Sequence, residues 1–335
     1  MTAAFLPVQP LGMADTIAVD WRDRYLPLWQ AMQSGVLTTA DNLQLRYYSH
    51  RSAHSDQAIV ISPGRMELAA KYAELSFELI QAGYSVYILD HRGQGLSQRE
   101  LVNPHKGYVS CFSQYQQDFA QFIKHIVMPA GHNQHIALGH SMGCAILAGY
   151  LQRSKHPFDA AILASPMLGI YTGLVPYRLA QSLALTYGAL NRAFGRHPWY
   201  FPGQANYAEK TFNHNPLTSC SERYHWLLQL YRDFPQAQLG GVTTSWINAA
   251  IRAMALLQTQ AADWRTPVLL LQASADKVVS NHAQNLWFEQ LPDNLVKQKV
   301  TLHHARHEIF MESDSIRQQA FNAINQFLQL LPTEP

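Results

Sequence analysis

Two hydrophobic patterns alternate along the chain. Runs that are apolar at nearly every position occur at 58–61, 84–89, 136–138, 161–164, 268–271 and 300–302. A strand apolar at successive positions is buried on both faces, which is the condition of a parallel sheet covered by helices on each side. Between these runs, apolar residues recur at helical spacing. Leu68, Tyr72, Leu75 and Leu79 mark one stripe, with Gly83 where a helix C-cap falls. Tyr115, Phe119, Phe122, Ile123 and Ile126 mark another, with Ser113 as its expected cap. The last stripe joins Ile316, Ala320, Ala323, Ile324, Phe327 and Leu328, preceded by Ser315 and Gln318 at capping-box spacing. The pattern predicts an α/β fold with a mostly parallel sheet flanked by helices.

The alternation breaks from 167 to 263. That interval has helical patterns and no convincing strand, and it is too long for a plain connection. Its aromatics are dense, among them Tyr171, Tyr187, Trp199, Tyr207, Tyr224, Trp226, Tyr231 and Trp246. It reads as a helical cap inserted between two strands of the core.

Composition narrows the function classes. Of 335 residues, 47% are hydrophobic and only 14% charged, which excludes a disordered chain. Lys and Arg number 25 against 23 acidic residues, so no electrostatic case exists for nucleic acid. Cys111, Cys144 and Cys220 form no disulfide framework and no metal-ligand spacing. The first residues lack the basic and apolar regions of a secretory signal, and no apolar run is long enough to span a bilayer. The expectation is a cytoplasmic protein that needs no metal and no cofactor.

The sharpest chemical signal is Gly139-His140-Ser141-Met142-Gly143, which fits G-x-S-x-G between a predicted strand and a predicted helix. In that context Ser141 is the expected nucleophile. A serine hydroxyl needs a base, and the base an orienting acid, which in this topology follow in the order acid, then histidine. Asp276, just past the run at 268–271, is the expected acid. Asp90 precedes the serine and Asp293 sits in a turn sequence, so both read better as loop carboxylates. His307, in the loop after the final strand, is the expected base; His303 and His304 stand closer to the strand. Two backbone N–H groups are needed for the oxyanion, and Met142 and Arg65 are assigned to them. The Arg65 side chain is open to two readings, a phosphate head group or a solvent-exposed salt bridge. The segment 90–97 has a G-x-G flavour without the third glycine of a dinucleotide site, and reads as a brace for the pocket mouth. Cys144 reads as a packing residue.

These motifs resemble the α/β-hydrolases, in the branch of monoacylglycerol lipases and PldB-like bacterial lysophospholipases. Ser62-Pro63-Gly64-Arg65-Met66-Glu67, Asp90-His91-Arg92-Gly93-Gln94-Gly95, the serine motif, Ala164-Ser165-Pro166-Met167 and Ala305-Arg306-His307-Glu308-Ile309 carry the resemblance. It runs from about Leu43 to Phe327. That gives a core of residues 43–166 and 264–335, a cap of 167–263 and an N-terminal extension of 1–42. Monoacylglycerol lipases usually carry His-Gly where this chain has Pro63-Gly64, which favours the bacterial lysophospholipase branch. The resemblance implies a serine hydrolase that releases the fatty acid of a single-chain lysophospholipid, with some acyl transfer, at the bacterial inner membrane. Monoacylglycerol lipase or general carboxylesterase activity is the alternative, and a non-catalytic lipid-binding scaffold is the alternative of another class. The segment 174–194, an apolar face rimmed by arginines, is open to two readings: a peripheral membrane contact through the cap, or helices packed on the core.

Overall fold

The computed structural model describes residues 4–53, 55–153 and 155–331. Two short helices, α1 (Ile17–Asp20) and α2 (Leu26–Ala31), lead into an eight-stranded sheet. Its strands are β1 (Gln33–Thr38), β2 (Gln44–His50), β3 (Gln57–Ser62), β4 (Ser85–Leu89), β5 (Gln134–His140), β6 (Ala160–Ala164), β7 (Val268–Ala273) and β8 (Lys297–Leu302). They lie in the order β1-β2-β4-β3-β5-β6-β7-β8; β1–β2 and β2–β4 pair antiparallel, and the other pairs run parallel. The helices that follow are α3 (Ala73–Gln81), α4 (Ser113–Phe122), α5 (Met142–Arg153), α6 (Tyr177–Phe194), α7 (Ser221–Asp233), α8 (Thr244–Thr259), α9 (Asn281–Glu289) and α10 (Asp314–Gln329).

Alternate residues of the central strands feed two cores. Ile59, Ile61, Ile136, Leu138, Leu269 and Leu271 pack on one side with α3 and α10. Ala58, Val60, Ala137, Leu163, Val268 and Leu270 pack on the other with α4, α5 and α8. Both faces are therefore apolar, and the uninterrupted hydrophobic runs follow from that.

The hairpin of β1 and β2 has no counterpart in the hydrophobic pattern. Its strands lie at the sheet edge, with polar residues between apolar ones. Its turn is built on Asn42, whose φ of 62° is left-handed, and Thr39 N–H donates to the Leu43 carbonyl at 2.9 Å. Asp41-Asn42 was the available turn signal. The stretch before it is anchored rather than detached. Trp29 lies 4.3 Å from Tyr48 between ring centres, and Trp21 lies 5.6 Å from Trp226 of α7.

Two expected caps sit elsewhere. Phe112 holds the N-cap position of α4, while Gln114 Oε1 accepts from the Cys111 N–H at 3.2 Å, so Ser113 is already inside the helix. Ser313, not Ser315, precedes α10, and its side chain forms no cap bond. Asp314 opens that helix and instead accepts the Ala14 N–H, tying the N-terminal segment to it.

Between β6 and β7 the chain runs through α6, α7 and α8, with no strand among the described residues. Its aromatics divide by position. Tyr224, Trp226, Tyr231 and Trp246 are buried, and Phe194 is 77% exposed.

Candidate active site

Ser141 stands at the tight turn from β5 into α5. Its φ is 51°, a left-handed conformation costly for a residue with a side chain. The surroundings hold it there: its N–H donates to the Ala164 carbonyl at 3.0 Å, and its own carbonyl accepts from Met167 and Cys144 at 3.1 Å. The motif glycines have a steric cause. A Cβ at Gly143 would lie 1.9 Å from the Ser62 carbonyl oxygen, and one at Gly139 would lie 2.9 Å from the Cys144 nitrogen. Any side chain at 143 would push the β3 loop away from the turn.

Asp276 follows the end of β7, and His307 lies in the loop after β8. The parallel register places all three residues at the carboxyl edge of the sheet. His307 Nε2 is 2.9 Å from Ser141 Oγ, and its Nδ1 is 2.8 Å from Asp276 Oδ2. The second Asp276 oxygen accepts from the N–H groups of Val278 and Val279 at 2.7 and 3.0 Å. Burial alone would raise this carboxyl. The His307 contact and the two N–H donors outweigh that and hold it below the usual carboxylate value. An ionised Asp276 fixes the proton of His307 on Nδ1 and leaves Nε2 to accept from the serine. His303 and His304 are exposed.

The other candidates also find places. Asp90 is buried and accepts from Ala69 and Leu96 N–H at 2.7 and 2.8 Å, and Gln94 Nε2 donates to the Gly64 carbonyl at 2.7 Å. The segment 90–97 thus braces the loop after β3. Cys144 is fully buried, which pushes its thiol well above the ordinary value. Among the described residues, neither the Arg65 nor the Met142 N–H donates a hydrogen bond. The Arg65 side chain departs from the salt-bridge reading. Its Nη1 donates to the Gly240 carbonyl at 3.0 Å, and its guanidinium lies over the Trp246 ring, 5.6 Å from the centre. Burial pulls it down to about 10, and no carboxylate among the described residues pairs with it. It ties the β3 loop to the insert.

A buried ionic cluster behind the histidine was not foreseen. His140 Nδ1 donates to Glu67 Oε1 at 2.7 Å, and its Nε2 donates to the His307 carbonyl at 3.1 Å. Lys71 Nζ donates to Glu67 at 2.8 Å and to Glu308. Two carboxylates are thus matched by two cations. Burial pulls His140 down, but Glu308 and Glu67 more than reverse this and raise it. Burial likewise raises Glu67, and Lys71 with His140 carries it well below its ordinary value. Glu67, His140 and Glu308 are close enough to hold a metal ion, but the Lys71 ammonium already fills the cationic position between the carboxylates. Only the 67/71 spacing was visible in sequence, since the cluster joins three distant segments.

A cavity of about 240 Å³ opens above Ser141 and His307. Its apolar wall comes from the insert, through Tyr207, Tyr224, Leu227, Leu228 and Tyr231, and Arg65 and Lys210 also line it.

Comparison with known proteins identifies the family. The model of the Hydrolase_4 family, described as serine aminopeptidase S33, matches residues 53–314. Lysophospholipase L2 of Escherichia coli strain K12 is 35% identical over 303 residues, spanning 89% of this chain and 88% of that protein. A protein of Haemophilus influenzae strain Rd named as a probable lysophospholipase L2 is 30% identical over 307 residues, 91% of this chain and 95% of its own. Among solved structures, a soluble variant of monoglyceride lipase from Saccharomyces cerevisiae superposes with a TM-score of 0.70 at 18% identity, over 90% of this chain and 97% of that one. The chain belongs to the serine aminopeptidase S33 family of the α/β-hydrolase superfamily, in the branch that contains the lysophospholipases L2 and the monoacylglycerol lipases.

Proposed function

We propose that this protein is a lysophospholipase in which Ser141, His307 and Asp276 act as a catalytic triad. The observation that carries the reading is the hydrogen-bonded series Asp276–His307–Ser141 on the floor of an apolar cavity. Ser141 Oγ attacks the acyl carbonyl of a single-chain lipid while His307 Nε2 takes its proton. Asp276 holds the tautomer and stabilises the imidazolium. The N–H groups of Arg65 and Met142, which have no acceptor among the described residues, take the developing oxyanion. The imidazolium then returns its proton to the departing glycerophospho-alcohol. Water, or the hydroxyl of another lipid, resolves the acyl-enzyme by the same route.

The insert, residues 167–263, acts as the cap of the core formed by 43–166 and 264–335. Its wall of Tyr207, Tyr224, Leu227, Leu228 and Tyr231 receives the acyl chain, and each methylene buried there contributes about 0.8 kcal/mol. We read it as a bacterial enzyme, as its Escherichia coli and Haemophilus influenzae relatives are, that works in the cytoplasm with a peripheral contact to the inner membrane.

The substrate class is tested by comparing acyl release from lysophosphatidylcholine, lysophosphatidylethanolamine, a monoacylglycerol and a short-chain ester. The reading predicts the highest kcat/KM for a lysophospholipid. A monoacylglycerol or short ester turned over faster than both would overturn it in favour of a monoacylglycerol lipase or carboxylesterase.

A further inference from the structure

A second cavity, of about 490 Å³, lies where the loop before α4 meets α5, α6 and α8. Its lining shares no residue with the cavity above Ser141. Arg153 at the end of α5, Arg192 of α6 and Arg252 of α8 converge on it, and its lining contains no Asp or Glu. Among the described residues, none of the three arginines forms an ion pair with a carboxylate. Three like charges around one cavity repel each other, and an anion relieves the repulsion.

The lining also says which anion. Guanidinium forks pair with carboxylate and phosphate alike. A planar carboxylate is satisfied by one or two forks approaching near its plane. A phosphate ester presents its free oxygens in three dimensions, which suits donors arriving from three helices. The hydroxyls of Ser113 and Ser245 add further partners, and Phe112, Leu256 and Leu257 provide an apolar side. Hydrogen bonds from Ser113 draw the exposed Cys111 thiol below its ordinary value, and the charges of Arg252 and Arg153 add a smaller pull in the same direction.

We propose that this cavity is a second binding site, separate from the catalytic one, which holds the phosphate group of a phosphate ester between Arg153, Arg192 and Arg252. The group can come from a phospholipid head group at a bilayer or from a soluble phosphate such as the glycerophosphodiester product.

Cys111 provides the readout, because it lines the cavity and the other two cysteines are buried. The rate of maleimide labelling at Cys111 is measured on the full chain, with and without probe, at ionic strength fixed with chloride. The probes are inorganic phosphate, glycerol 3-phosphate, and vesicles of phosphatidylglycerol and phosphatidylcholine. At a probe concentration of about ten Kd, a single site predicts labelling slowed by about tenfold. The ratio of rates with and without probe cancels any change in the thiol itself, so it can be compared across variants. R153Q and R252Q each weaken the protection, and the R153Q/R192Q/R252Q variant abolishes it. Protection by the soluble probes assigns the site to free phosphate esters, and protection confined to vesicles assigns it to a lipid head group. The proposal is overturned if no probe protects, or if protection survives in the triple variant.

Discussion

The left-handed φ of 51° at Ser141 and the missing side chain at Gly143 belong to one steric arrangement. With no Cβ in the way, the β3 loop closes on the turn, where Ser62 Oγ donates to the Gly143 carbonyl at 3.1 Å. That closeness brings the Arg65 and Met142 segments to the same serine. His140, inside the motif, has a different task. As an imidazolium it donates to Glu67 on one side and to the His307 carbonyl on the other, so it holds the loop that carries His307. Because its folded-state value is raised, its stabilisation is fully present below the unfolded value of about 6.5 and is lost as pH rises through the folded value. Removing one member of a buried ionic cluster costs on the order of 3 kcal/mol. H140Q should therefore lower Tm most at about pH 5.5, with the gap to wild type narrowing as pH rises above about 6.5. Thermal denaturation across that range checks this; a gap that stays constant or widens with pH contradicts it.

At the scale of elements, what was legible in the sequence follows how each element is buried. Strands β3, β4, β5, β6 and β7 are buried at every position, so each carries an apolar run, with polar residues only towards its ends. The ends of β5, β7 and β8 then locate Ser141, Asp276 and His307 by chain order. The β1–β2 hairpin escaped because an edge strand keeps polar residues on its open side, and only the turn at Asn42 marked it. The Glu67–Lys71–His140–Glu308 cluster escaped for a different reason: its members are brought together by the sheet, and no local spacing encodes that. Helix α6 presents an unusual surface. Leu179, Leu183, Leu190 and Phe194 are 52, 60, 46 and 77% exposed, and they fall along one side of the helix. The opposite side faces α8, where Gly188 permits a close approach to Asn248. An exposed apolar stripe on the insert fits a bilayer contact. Vesicle flotation checks it: wild type should rise with the vesicles, and L183E/L190E should remain at the bottom. Equal flotation of both proteins would sink the contact through α6.

Over the whole molecule, the mostly parallel sheet brings Ser141, Asp276 and His307 to one edge, and the insert covers that edge with apolar side chains. The scarcity of charge and the wealth of aromatics have two structural origins. Trp226, Tyr231 and Trp246 join the helices between β6 and β7 to the main cores, and Trp226 also meets Trp21 of the N-terminal segment. Tyr207, Tyr224 and Tyr231 also line the space above Ser141. No helix among the described residues is long and apolar enough to cross a membrane. The central claim is that Ser141 cleaves the acyl ester of a lysophospholipid. Its most direct test is fatty-acid release from lysophosphatidylcholine by purified wild type and by Ser141→Ala, with folding of the variant confirmed by an unchanged Tm. Rapid release by wild type and a fall in kcat of about 10⁴-fold or more in the variant are expected. Turnover by the variant within about tenfold of wild type would contradict the claim.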